Sequence, residues 1–234
     1  ITNNELGNSY TKLFKYVNGF HAVSKSLAKE AVKYGANPEL IEVIYPAVRN
    51  NVLIKKTDLV SSNNSTLNII SVGRCHWVKG YTFALDAMKI LSNQKVNFHY
   101  TIIAEGLDKE NLLFQINDLG LSKNVTFING LSHNQVIKTI ANAEFLLLSS
   151  VSEGISNSAI ESMALGTIVL SSNVGGMDEI ISNGENGFLF SNRSPDSMAN
   201  CIIKCSKLNK SQIAEIILAG KKSINQNHLL SKQV

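Results

Sequence analysis

The chain has 234 residues, 44% hydrophobic and 17% charged, the balance of a globular fold rather than of a disordered segment. No run of about 18 uninterrupted apolar residues occurs, so no membrane-spanning helix is expected. The net charge of +4 sits at the front: residues 1–95 carry 12 basic against 6 acidic side chains and the remainder 10 against 12, with no basic and aromatic stripe of the kind that grips nucleic acid.

The front of the chain carries little pattern. Residues 19–24 predict a strand, residues 25–34 a helix stopped by Gly35, and residues 41–45 a second strand closed by Pro46. Two strands and one or two helices cannot bury a core alone, so residues 1–49 read as the tail of a preceding domain. The chain opens on Ile1 without a basic-then-apolar leader, and is expected to be a piece of a longer polypeptide. Residues 50–66, with the run Ser61, Ser62, Asn63, Asn64 and Ser65, are polar and unpatterned, as a linker would be.

From residue 67 short apolar runs alternate with segments of helical period. The runs at 67–72, 98–104, 125–128, 145–148, 168–170 and 188–190 lack strict alternation, which predicts strands covered on both faces. Helices are predicted near 80–92, 109–119, 132–142, 156–165 and 195–206, and residues 210–234 also read as helical. Strand and helix in alternation give crossovers onto a parallel sheet. The expected fold class is α/β, an open, doubly wound, Rossmann-like sheet over residues 67–234, binding its ligand at the carboxyl ends of its strands.

Cys75, Cys201 and Cys205 make no disulfide framework. Cys201 and Cys205 would be neighbours on one helix, but no further ligand sits nearby for a metal. All three read as buried thiols in a reducing cytoplasm.

Three segments carry candidate chemistry. The first is Gly73, Arg74, Cys75, His76, Trp77, Val78, Lys79 and Gly80, after one predicted strand and opening a helix. Two cations beside free helix amides suit a phosphate; a solvated basic loop fits the segment equally well. The spacing is neither the P-loop nor the G-x-G-x-x-G fingerprint. The second runs from Glu153 through Gly154, Ile155, Ser156, Asn157 and Ser158 to Glu161. With Ser156 as N-cap, Glu161 stands roughly 6–8 Å along the helix. Two carboxylates then flank a ligand rich in hydroxyls; an acid placed by the helix dipole and an ordinary surface Glu are the alternative. The third, Gly175, Gly176, Met177, Asp178 and Glu179, permits close backbone approach, as would a plain turn. No Lys or Arg lies between Lys138 and Arg193, so a phosphate at the acidic edge would draw its cations from Arg74 and Lys79. Trp77 reads as packing, and His76 and His133 as loop residues, the latter near the same edge. No metal-ligand set and no Ser-His-Asp order is present.

Together these segments resemble the C-terminal domain of glycosyltransferase family 4, the retaining family built on two facing Rossmann-like domains, the GT-B fold. The resemblance runs from about Gly19 to the end. It rests on Glu153 and Glu161, with Ser149 and Ser150 before them and Ser162, Met163, Ala164, Leu165 and Gly166 after. Gly73, Arg74, Lys79 and Gly80 match the family's diphosphate loop, and Gly175, Gly176, Glu179 and Gly184 its next loop. Ile155, Ile168 and Glu144 depart from it, where the family often has Phe, Pro and Asp.

The resemblance implies a glycosyltransferase moving a sugar from a nucleoside-diphosphate donor, UDP- or GDP-linked, to a saccharide or lipid-linked acceptor, without metal or other cofactor. Arg74 and Lys79 would stabilise the leaving diphosphate and Glu153 would contact the sugar. Glu161 would hold the ribose, amides near Ile155 to Ser158 the distal phosphate or sugar, and Gly130 and Leu131 the base. Residues 1–49 would be the end of the acceptor-binding domain. Surface polysaccharide synthesis, in the cytoplasm or peripherally at the inner membrane face, is the expected setting. An epimerase of the same fold and a non-catalytic nucleotide-sugar-binding fragment are the rival readings.

Overall fold

The structure, a computed structural model, describes residues 4–49 and 66–232. The linker expected at 50–66 lies, but for Thr66, outside the described residues. The front segment holds α1 (Asn4–Leu13), a 3-10 turn at Phe14–Tyr16, β1 (Phe20–Ala22), α2 (Lys25–Lys33) and β2 (Ile41–Val43). Ser24 caps α2, its Oγ accepting from the Leu27 amide at 3.0 Å, and Gly35, at φ 92°, ends it in the left-handed region. β1 and β2 pair in parallel, Phe20 opposite Ile41. Against expectation this segment has a small apolar nucleus of its own, Phe14, Ala31 and Ala36 with Phe20 and Ile41 packed on it. The turn after α1 delivers Phe14, which meets the Phe20 ring edge-on at 5.3 Å. α1 has no counterpart among the predicted elements because its Gly7 and its Asn and Ser residues are weak helix formers.

The rest alternates strand and helix: β3 (Leu67–Arg74), α3 (Tyr81–Asn93), β4 (Phe98–Glu105), α4 (Lys109–Asp118), β5 (Val125–Ile128), α5 (His133–Asn142), β6 (Phe145–Leu148), α6 (Asn157–Leu165), β7 (Ile168–Ser172), α7 (Met177–Ile180), β8 (Phe188–Phe190), α8 (Pro195–Ser206) and α9 (Lys210–Asn227). The six strands from β3 onward form one parallel sheet in the order β5-β4-β3-β6-β7-β8. Successive strand residues feed opposite cores. Ile69 and Leu147 pack with α3, α4 and α8 on one face, while Ile70 and Leu146 pack with α5 and α6 on the other. Burying each such side chain contributes about 1.5–3 kcal/mol, and burial on both faces is why the runs show no alternation.

Three strands are longer than their apolar runs, β4 by Glu105 alone. β3 extends through Gly73 and Arg74, paired with Ala104 and Glu105, and β7 through Ser171 and Ser172, paired with Leu189 and Phe190. The ladder, not strand propensity, fixes those ends. α9 stops at Asn227 instead of continuing to the chain end. The backbone beyond it is engaged elsewhere: the Val48 amide donates to His228 O at 2.8 Å and the Leu230 amide to Val48 O at 3.0 Å. The His228 Nδ1 sits 3.0 Å from Pro46 O, and burial pushes that imidazole's pKa down.

The order of strands creates the crevice. β3 pairs with β4 along its full length but with β6 only at Ile69↔Phe145 and Ile70↔Leu146. Beyond those pairs the backbone ladder stops, and the Ser71 hydroxyl reaches across, to Leu147 O. Chain order reverses between them, so the loops that follow them flank a topological switch point, where open α/β sheets bind ligands.

Candidate functional site

The loop after β3 is bound to the loop after β6. The Val151 amide donates to Val78 O at 2.7 Å, and Ser149 Oγ donates to Lys79 O at 2.8 Å. Gly80 makes this approach possible. Its φ is 62°, and a Cβ there would lie 2.1 Å from Ser149 O, so neither the conformation nor the space admits another residue.

The seam brings the first and second sequence constellations into contact. Lys79 Nζ lies 2.7 Å from Glu153 Oε2, with the two side chains only 18% and 17% exposed. Ser150 Oγ donates to the same carboxylate oxygen at 3.0 Å. A half-buried lysine and carboxylate, each satisfied by the other, offer charge of both signs to a polyanion carrying hydroxyls. Arg74 stands exposed at the end of β3. Among the described residues no carboxylate lies within ion-pair distance of it, so its planar fork remains open to an anion.

Gly73 sits under this loop. A Cβ there would press on the Tyr81 hydroxyl at 3.1 Å and on Lys79 Cε at 3.3 Å. Tyr81 is buried, and its hydroxyl finds no hydrogen-bond partner among the described residues. Burial pushes its phenol well above the ordinary range. The helical spacing that announces α3 gives no sign of this hydroxyl beneath the cationic loop.

Further along the same edge, Glu161 projects from the second turn of α6. Its Oε1 is 3.6 Å from His133 Nε2, with the glutamate side chain 17% exposed. Burial raises the Glu161 pKa and His133 opposes the rise. His133 opens α5 directly after Gly130, Leu131 and Ser132, so the turn that carries Gly130 and Leu131 shares this corner with Glu161. His133, read from sequence as a loop residue, is a helix residue facing the acid. A Cβ at Gly130 would meet Glu105 Oε2 at 2.7 Å.

Ser156 occupies the N-cap position of α6, but its hydroxyl pairs with Ser158 Oγ at 2.8 Å instead of capping an amide. Ile155 and Ser156 are buried, while Asn157 is exposed. The glycines of the second and third constellations face protein. A Cβ at Gly154 would meet Val23 and Leu27 at 2.9 and 3.0 Å, and one at Gly176 would meet Ser24 at 2.5 Å. Gly175, at φ 61°, lies against Glu153 O. Glu179 accepts from the Lys25 and Ser26 amides at 2.9 and 2.8 Å and from the Tyr45 hydroxyl at 2.9 Å. Among the described residues no group of three or more His, Cys, Asp or Glu could hold a metal ion. All three cysteines are free, Cys75 and Cys205 buried and Cys201 half-buried. Among the described residues no helix is long and apolar enough to cross a membrane.

Residues 57–222 match the family model for glycosyl transferases group 1. The chain is 25% identical to the amylovoran biosynthesis glycosyltransferase AmsK of Erwinia amylovora, over 96% of this chain and 57% of that protein. It is 24% identical to a putative colanic acid biosynthesis glycosyltransferase, WcaL, of Salmonella typhimurium, over 93% of this chain and 55% of that one. The chain thus spans little more than half the length of these curated relatives. In fold it superposes on Anabaena HepE, solved with UDP-glucose, at a TM-score of 0.86 and 20% identity, over 100% of this chain and 66% of that chain.

Proposed function

The chain belongs to the group 1 glycosyl transferases, and on that premise we propose that it is the donor-binding half of a retaining enzyme of family 4 with the GT-B architecture. In this reading residues 67–234 bind a nucleoside-diphosphate sugar, residues 1–49 are the end of the acceptor-binding domain, and residues 50–66 join them. The observation that carries it is the Lys79–Glu153 contact of 2.7 Å at the switch point. It brings the cationic loop and the first acid of the acidic pair to one spot.

Each residue then has a task. Arg74 and Lys79 meet the pyrophosphate and stabilise the charge that develops on the leaving nucleoside diphosphate. Glu153 turns from Lys79 toward the sugar hydroxyls as the diphosphate takes over the ammonium. Glu161 accepts from the ribose hydroxyls, with the base over Gly130 and Leu131. The amides of Ile155 to Ser158, at the start of α6, face the distal phosphate. Uracil is the first base to try, since HepE was solved with UDP-glucose. The names of AmsK and WcaL, glycosyltransferases of amylovoran and colanic acid biosynthesis, support a role in polysaccharide synthesis; a saccharide or lipid-linked acceptor, met at the inner membrane face, completes the reading.

Calorimetric titration with the uridine, guanosine and adenosine diphosphates and their sugars tests the reading. One base is expected to bind, and Arg74→Ala and Glu161→Ala each to weaken it by about tenfold or more. Binding unchanged in both variants would overturn the assignment.

A further inference from the structure

Glu179 joins two parts of the chain that sequence keeps far apart. Its Oε2 accepts from the Lys25 amide at 2.9 Å and its Oε1 from the Ser26 amide at 2.8 Å. These are the first two amides of α2, which have no partner inside that helix. The Tyr45 hydroxyl adds a third bond at 2.9 Å. A carboxylate at a helix N-terminus is favoured by the orphan amides and by the dipole, and the bidentate grip fixes direction as well as distance. Tyr45 is anchored in turn, its ring meeting the His228 imidazole edge-on at 5.6 Å.

Glu179 sits three residues after Gly176, and that turn forms the back of the candidate site. The Gly176 amide donates to Gly154 O at 2.8 Å. Gly175 packs so tightly on Glu153 O that a Cβ would lie 1.6 Å from it. On the other side, Val23, Ser24 and Leu27 fill the room left by the missing side chains of Gly154 and Gly176. A continuous set of contacts therefore leads from α2 and Tyr45, through Glu179, to Gly176, Gly154 and Glu153, and from Glu153 to Lys79.

We propose that Glu179 is a positioning residue for the donor site. By clamping the start of α2 and Tyr45 it presses the glycine turn onto Glu153 and so sets the Glu153 carboxylate against Lys79. The inference rests on the donor-site reading above, adding to it a residue that touches no ligand. It requires a side chain of this length with two equivalent oxygens. Gln in its place turns an N–H donor toward one of the two amides.

The test uses Glu179→Gln, Glu179→Ala and Tyr45→Phe in this chain, with Arg74→Ala as reference. Two readouts are taken: amide hydrogen exchange over residues 153–156 and 174–178, and calorimetric affinity for uridine and guanosine diphosphate sugars, whose hydroxyls Glu153 meets, up to millimolar concentration. Expected are faster exchange in both stretches and about fivefold or more weaker nucleotide-sugar binding in the Glu179 variants, with a smaller loss in Tyr45→Phe. Gln keeps the side chain's shape, so its result stands if the Ala variant fails to fold. Unchanged exchange, or faster exchange with unchanged affinity, overturns the positioning role while the Arg74→Ala loss keeps the donor site. Binding by Arg74→Ala as tight as by the parent, or no binding by the parent, overturns the donor-site reading and this inference with it.

Discussion

Lys79 and Glu153 stand 74 residues apart in the chain and 2.7 Å apart in the fold. The pair forms because β3 and β6 are neighbours whose ladder ends early, which leaves their following loops facing one another across the opening. Neither side chain is exposed enough for water to replace its partner cheaply.

Removing one member of the pair therefore has a cost. Glu153→Gln leaves the Lys79 ammonium in a half-buried site with a neutral neighbour. A loss of about 1–3 kcal/mol is expected, between the values for exposed and fully buried pairs, and urea denaturation measures it. Nucleoside diphosphate should bind Glu153→Gln at least as tightly as the parent, because the ammonium no longer has a competing anion. A fall in that affinity would mean that Lys79 does not meet the phosphate.

Gly80→Ala tests the seam between the two loops. The added methyl meets Ser149 O at 2.1 Å, and the residue must keep a φ of 62°. Both faults act together, and a destabilisation of about 3 kcal/mol or more is expected. Nucleotide affinity should fall as well, since Lys79 is the neighbouring residue. A melting temperature within about 2 °C of the parent's would show that the loops separate without consequence.

Glu161 gives a dependence on pH. Burial raises its pKa in the folded chain above the ordinary 4.5, against the pull of His133. The folded state then holds that proton more tightly than the unfolded state. Its contribution to stability is full below the unfolded value and is lost as pH rises through the raised one. Glu161→Gln removes this loss. The variant should melt higher than the parent at pH 7, with the gap closing toward pH 4. A variant that melts lower than the parent at pH 7 would show that the carboxylate is favoured where it stands.

Much of the sheet was legible because its strands are short apolar runs with polar ends. The runs at 125–128, 145–148 and 188–190 coincide with β5, β6 and β8. β3 and β7 run further, since Gly73, Arg74, Ser171 and Ser172 owe their strand conformation to partners and not to their own side chains. α7 has four residues, too few for a period to show. The convergence of the cationic loop and the acids was readable in outline. Loops that follow parallel strands share an edge, and the residue types suited one ligand. Which strands are neighbours was not readable, and the Lys79–Glu153 distance depends on that. Nor does any local pattern foretell that Glu179 reaches the start of α2, 154 residues away.

The junction at Val48 bears on how the molecule is made. Val48 is held on both sides by residues 228–230, and His228 reaches back to Pro46. On the ribosome those partners emerge only after everything between them. Nascent front segment and sheet can each begin to fold beforehand, but the seat that fixes one against the other is completed only once residues 228–230 have emerged.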